Sequence, residues 1–180
     1  MKAKDKKGKP IINYKVFTSS LGKIGIATID SKVVRVAIAV DEKDFLLKLK
    51  RRFCGFELKK GGALISKVEK EIKEYLMGKR KKFTVEVAQG GSRFARKVYS
   101  AIQKIPYGQT RSYKDVARMI KKPGASRAVG SALKSNPVAI IVPCHRVISS
   151  NGSPGGFAPG VEYKIKLLKL EGSLNEGLAH

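Results

Sequence analysis

The sequence is short of acids, of cysteine and histidine, and of long apolar runs, and each shortage excludes something. Only 14 Asp and Glu stand against 38 Lys and Arg in 180 residues, a formal net charge of +24 with a pI near 10.2. Such a surplus repels itself in the folded state and persists where the partner is a polyanion, so nucleic acid leads the partner classes. Cys54, Cys144, His145 and His180 are too few and wrongly spaced for a structural zinc site or a disulfide scaffold, which points to a reducing compartment and to no metal. No stretch approaches the ~18 uninterrupted apolar residues of a membrane helix, and the N-terminal lysines lack the apolar core of a signal peptide. The expectation is a soluble, cytoplasmic protein with no membrane partner. Scarce Asn and Gln beside abundant Lys also suit a thermophile, but that composition raises Glu together with Lys and leaves the missing acids unexplained.

What is present suffices for packed cores, since 42% of residues are hydrophobic. Residues 1–9 read as a basic arm. Strand patterns follow at Ile11 to Thr18, Ile24 to Ile29 and Val33 to Val40, an antiparallel meander. Helical spacing covers Glu42 to Arg52 and Leu64 to Met77, a short strand Phe83 to Val87 follows, and Gly90-Gly91 marks a boundary. Residues 1–88 therefore form an α+β domain, and residues 92–180 a second one.

The second half reads as helices. Ser92 caps a helix to about Ile105, and Pro106-Tyr-Gly108 breaks it. Ser112 caps another from Tyr113 to about Lys121. After Pro123-Gly124 a third runs from Ala125 or Ser126 to Lys134, so the order is that of a helix-turn-helix. This third helix is built of small residues, Ser126, Ala128, Gly130, Ser131 and Ala132, beside Arg127. They suit either tight packing or close approach to another molecule.

Asn136-Pro137 ends that helix, and Val138 to Val142 reads as a buried strand carrying Pro143, Cys144 and His145 at its end. A cysteine attacks only as thiolate, and its pKa of about 8.5 must be lowered by a base, a cation or a helix N-terminus. His145 is adjacent, but neighbours on a strand face opposite ways, so it would act through a water. An imidazole needs a carboxylate to hold its tautomer. Asp115, Glu162, Glu171 and Glu176 are the candidates, with Glu171 favoured because it ends a helix from about Val161, where the dipole demands a compensating partner. The loop from Ser149 to Gly160, rich in Gly, Ser and Pro around Phe157, reads as a pocket cover or as a connector. Cys144 and His145 could equally be a buried structural pair.

Taken together, Pro143-Cys-His-Arg-Val147, Asn136-Pro137, Ser126-Arg-Ala-Val-Gly130 and Ile105-Pro-Tyr-Gly-Gln-Thr-Arg-Ser-Tyr113 resemble the O6-alkylguanine-DNA alkyltransferases. The likeness is strong over about residues 92–172 and looser before. It implies a ribonuclease H-like N-terminal sheet domain and a winged helix-turn-helix domain carrying the active site. It implies further that Cys144 accepts an alkyl group irreversibly from O6-alkylguanine in double-stranded DNA, with O4-alkylthymine left open, and that the protein works as a monomer without cofactor. His145 would deprotonate the thiol through a water, Glu171 would orient His145, Asn136 would hold the turn before the cysteine, and Tyr113 would give a proton to the guanine. Arg127 would fill the space left by the flipped base, and Lys114, Lys122, Ser126, Ala128 and Ser150 would contact DNA. Val147, Phe157, Ala158 and Pro159 would line the guanine pocket.

Departures from the family pattern are Phe157 and Ala158, where some relatives carry Tyr and Ser, and Ala139, where some carry Pro. Alkyltransferase-like proteins, which flag lesions without repairing them, carry Trp in place of the reactive cysteine. A helix-turn-helix regulator would need neither Cys144-His145 nor the glycine-rich loop, and a cysteine hydrolase would turn over without DNA.

Overall fold

The computed structural model describes residues 8–88 and 90–174, so most of the lysine arm and Glu176 lie outside the described residues. The chain divides into two compact units, Met1–Ala88 and Gln89–His180. No helix among the described residues is long and apolar enough to cross a membrane.

In the first unit, β1 (Ile11–Ser19), β2 (Gly22–Ile29) and β3 (Lys32–Ile38) form the antiparallel meander that alternation predicts. The sheet is nevertheless mixed. Strand β4 (Glu57–Lys60) pairs parallel to β1 and β5 (Glu86–Val87) parallel to β3, giving the order β4-β1-β2-β3-β5. Two helices supply the crossovers that parallel pairing requires. Helix α1 (Glu42–Arg52) starts at Asp41, whose carboxylate accepts the backbone N–H groups of Lys43 and Asp44, and it buries Phe45 and Leu49 beside Ile12 and Ala27. Burying each of those two side chains contributes about 1.5 to 3 kcal/mol. Gly25 on β2 makes this contact possible, because a Cβ there would stand 2.7 Å from the Phe45 ring.

Helix α2 is Ala63–Leu76, with Ile65, Val68, Ile72 and Tyr75 buried. The expected strand from Phe83 contracts to the two residues of β5. The reason lies in Glu71, nearly fully buried, which accepts both the backbone N–H and the hydroxyl of Thr84 and so holds that segment to α2 rather than to the sheet.

The second unit packs α3 (Arg93–Ile102), α4 (Tyr113–Met119) and α5 (Ser126–Lys134) on one another. Ser92 caps α3 through the Ala95 N–H, and Ser112 with Asp115 forms a reciprocal capping box on α4. Helices α3 and α4 each end earlier than their apolar spacing suggests, because Ile105 and Lys121 lie in closing turns, the latter with φ +57. A short parallel pair, β6 (Arg111–Ser112) with β7 (Val147–Ile148), ties the start of α4 to the segment following Cys144. Helix α6 (Val161–Leu170) is the last element among the described residues.

One expectation fails outright. Val138 to Val142 is buried but is not a strand: its backbone closes on itself, Ile141 N–H to Ala139 O and Val142 N–H to Val138 O, with Ile140 at φ +71. A fully buried apolar run carries no periodicity that separates a strand from a chain of turns.

Candidate active site

Asn136 organises the turns that present the cysteine. Its Oδ1 accepts the Val138 N–H at 3.0 Å, while its Nδ2 donates to Val142 O at 2.9 Å and to the Cys144 sulfur at 3.0 Å. Cys144 thus opens a 3-10 helical turn, Cys144–Arg146, rather than ending a strand. The strand argument that Cys144 and His145 face opposite ways therefore lapses.

His145 and Glu171 do come together, with Nε2 3.1 Å from Oε1 and both side chains fully buried. Burial holds the imidazole pKa below its ordinary value, against the pull of Glu171 toward the charged form. A neutral imidazole donating Nε2–H to the carboxylate leaves Nδ1 as its basic nitrogen. Of the other carboxylates, Asp115 is engaged in the α4 cap and Glu162 is exposed.

The sequence reading missed two cations. Arg146 donates from Nε and Nη2 to Glu171, at 2.9 and 2.8 Å, and from Nη1 to Ile105 O at 2.7 Å. It is Arg146, more than His145, that balances the buried carboxylate at the C-terminal end of α6. Gly108 N–H reaches Glu171 Oε2, and the Tyr107 hydroxyl donates to Leu170 O, so the Pro106-Tyr-Gly108 break wraps this pair. The clue was the unpaired acid itself: Glu171 needed a cation within reach, and one adjoined the histidine.

The second missed residue is Lys164, buried completely, donating to Val147 O and standing 5.8 Å from the centre of the Tyr113 ring. Loss of hydration lowers its pKa to about 8, opposed by the neighbouring Cys144 sulfur. Helical spacing alone would have signalled it, since position 164 lies on the same face of α6 as the buried Leu167 and Leu168.

Burial pushes the Cys144 thiol pKa up. The Asn136 amide, the Lys164 charge and the backbone N–H groups of Cys144 and His145 pull it down. The resting sulfur is thus a protonated thiol surrounded by groups that stabilise its anion. Tyr113 is also held above its ordinary pKa, by burial first and by Cys144 second, so its phenol keeps its proton.

Cys144 opens into a cavity of about 560 Å³ lined also by Tyr113, Gly130, Leu133, Phe157 and Ala158, a volume that suits a small aromatic ligand. The glycine-rich loop closes one side. Gly155, at φ +69, lets the chain pass the Tyr113 hydroxyl, which a Cβ would approach to 3.0 Å. Two expected pocket residues are elsewhere: Val147 is fully buried outside the lining and serves Lys164 with its carbonyl, and Pro159 is not in the lining. Helix α5 buries Val129, Ala132 and Leu133 and turns Arg127, Ala128, Ser131 and Lys134 to solvent. Its small residues therefore serve two faces, Ala132 inward and Ala128 and Ser131 outward. Lys114, Lys122 and Ser150 are exposed, and Ser126 is half-buried.

A buried thiol opening on a cavity, next in sequence to a histidine paired with a carboxylate, is the arrangement expected of a cysteine-nucleophile enzyme, here on a helical unit. Comparison with known proteins narrows that class. The DNA-binding domain of 6-O-methylguanine DNA methyltransferase matches residues 93–173. The inducible methylated-DNA–protein-cysteine methyltransferase of Bacillus subtilis is 50% identical over 122 residues, 68% of each chain. The methylated-DNA–protein-cysteine methyltransferase of Methanosarcina barkeri is 40% identical over 148 residues, 79% of this chain and 94% of the relative. Mycobacterium tuberculosis OGT, solved in complex with DNA, matches with a TM-score of 0.78 at 34% identity, covering 89% of this chain and 93% of that one. The chain belongs to the methylated-DNA–protein-cysteine methyltransferase family.

Proposed function

We propose that this protein repairs DNA by moving the alkyl group of O6-alkylguanine onto Cys144, once per molecule. The observation that carries the site assignment is the Cys144 sulfur, held by Asn136 at the floor of a cavity between Tyr113 and Phe157. In this reading the thiolate attacks the alkyl carbon, the carbon–O6 bond breaks, and its electron pair stays on the guanine. The thiol proton leaves toward the basic nitrogen of His145 through a water, and Glu171 stabilises the imidazolium that results. Tyr113, a neutral phenol in the cavity, supplies the proton that the departing guanine takes up. The thioether formed has no leaving group better than itself, so the enzyme is consumed.

A base stacked in duplex is out of reach, so the nucleotide must be flipped out, at a cost of a few kcal/mol. The exposed face of α5 supports this: Ala128 and Ser131 permit close approach, and Arg127 is long enough to occupy the vacated stack. Lys114, Lys122, Ser126 and Ser150 would hold phosphates on either side. Helices α4 and α5 act as the helix-turn-helix of a winged domain, residues 92–180, and the first unit as a ribonuclease H-like domain, residues 1–88. The protein acts as a monomer on double-stranded DNA in the cytoplasm.

The test is transfer of label from duplex DNA containing radiolabelled O6-methylguanine. One label per protein molecule, lost in Cys144→Ala, is expected. Binding without transfer, or transfer that survives Cys144→Ala, would overturn the assignment.

A further inference from the structure

Where β3 adjoins α1, a cavity of about 400 Å³ is lined by Leu49 and four cations, Arg35, Lys48, Arg51 and Arg52. Lys48 is satisfied by Asp44 at 2.6 Å. The guanidinium groups of Arg35, Arg51 and Arg52 have no hydrogen-bond or ion-pair partner among the described residues; that of Arg52 lies 5.8 Å from the centre of the Phe53 ring. Arg35 is half-buried, and loss of hydration followed by the like charge of Arg52 holds its pKa below the ordinary value. Arg80, on the same unit, shows the usual solution: it is paired with Glu74 at 2.8 Å and lies near Glu71.

Two guanidiniums brought together while one loses water form an unfavourable arrangement unless an anion joins them. An oxyanion reverses the sign of the interaction. The planar fork of arginine matches phosphate oxygens in bidentate fashion, and charge-assisted bonds of this kind are about twice as strong as neutral ones. No carboxylate among the described residues lines the cavity to do that work.

We propose that this cavity is a phosphate oxyanion site, with Arg35 and Arg52 holding the anion and Arg51 at its mouth. Its ligand is a phosphate group, carried by the backbone of nucleic acid or free in solution. The site gives the first unit a binding role of its own, independent of Cys144. Alkyl transfer is therefore a separate readout: the substitutions below leave the alkylation of Cys144 by a free alkylguanine unchanged.

The experiment uses the full chain as wild type, Arg35→Gln, Arg51→Gln/Arg52→Gln, and a charge-matched control, Lys59→Gln/Lys67→Gln. Two quantities are read: the salt dependence of affinity for undamaged duplex DNA, and the shift in Tm on replacing chloride by inorganic phosphate at constant ionic strength. Phosphate raises the Tm of the wild type and control, and the shift is lost in both arginine variants. With DNA as the source, Arg51→Gln/Arg52→Gln also lowers the slope of log affinity against log salt by about 1 to 2 more than the control does. Loss of the phosphate shift with a slope equal to the control's assigns the site to free phosphate. If both readings match the control, the proposal is overturned. Should Arg35→Gln fail to fold, the double variant decides, because Arg51 and Arg52 are exposed.

Discussion

Replacing Lys164 by Met tests whether the pocket holds a charge at a cost. The lysine is fully buried, and its pKa falls from 10.5 to about 8, chiefly through lost hydration. A fall of about 2.5, at 1.36 kcal/mol for each pKa unit, makes the ammonium about 3 kcal/mol harder to hold in the folded chain than in the unfolded one. The sign follows from the proton count. Below about pH 8 the lysine is charged in both states and the full cost is present. Between about 8 and 10.5 the unfolded chain keeps a proton that the folded chain has released, so stability from this group rises with pH.

The assay is urea unfolding from pH 7 to 11, comparing Cys144→Ser with Cys144→Ser/Lys164→Met, because the thiol titration is coupled to that of Lys164. Tyr113 titrates in both proteins and cancels to first order. Losing the bond to Val147 O costs about 1 to 3 kcal/mol but shifts the comparison by a constant. Over this range the lysine protein gains about 3 kcal/mol on the methionine protein. A difference that stays flat with pH refutes the reasoning. With Cys144 present, Lys164→Met also slows alkyl transfer, since the thiolate loses a cation that stabilises it.

Other outcomes follow from the same site. Glu171→Gln leaves Arg146 buried without its counter-charge and should destabilise the chain by about 3 kcal/mol or more in thermal or urea unfolding, with transfer slowed further because His145 loses its orienting carboxylate. Asn136→Ala strands Val142 O and the Val138 N–H and should cost about 1 to 3 kcal/mol, with alkylation of Cys144 by a free alkylguanine slowed in parallel. Arg127→Ala, on an exposed helix face, should change stability by less than about 0.5 kcal/mol yet slow repair in duplex far more than reaction with a free alkylguanine; equal losses in the two assays would count against insertion into the stack.

The apolar spacing of α1 and α2, the capping residues Ser92 and Ser112, and the breaks at Pro106 and Pro123 were legible because each acts within a few residues of its effect. The pairing of Glu171 with His145 was legible for a different reason: acids are so few in the second half that little else could serve. The strand assigned to Val138–Val142 failed because a uniformly buried run leaves its backbone pairing to Asn136, a side-chain hydrogen bond that periodicity does not register. Strand β4 escaped notice because Glu57-Leu-Lys-Lys60 is mostly exposed and gains its partner only when α1 returns the chain beside β1.

The sequence by itself determined the local elements, the cationic surplus and the residue types available for chemistry, all properties of composition and near neighbours. Tertiary structure alone decided which charges are neutralised. It brings Arg146 to Glu171 across 25 residues of chain and buries Lys164 beside Cys144, while leaving Arg35 and Arg52 on one cavity with no acid among the described residues that line it. Charge is felt through space and through the loss of water, and neither is written along the chain.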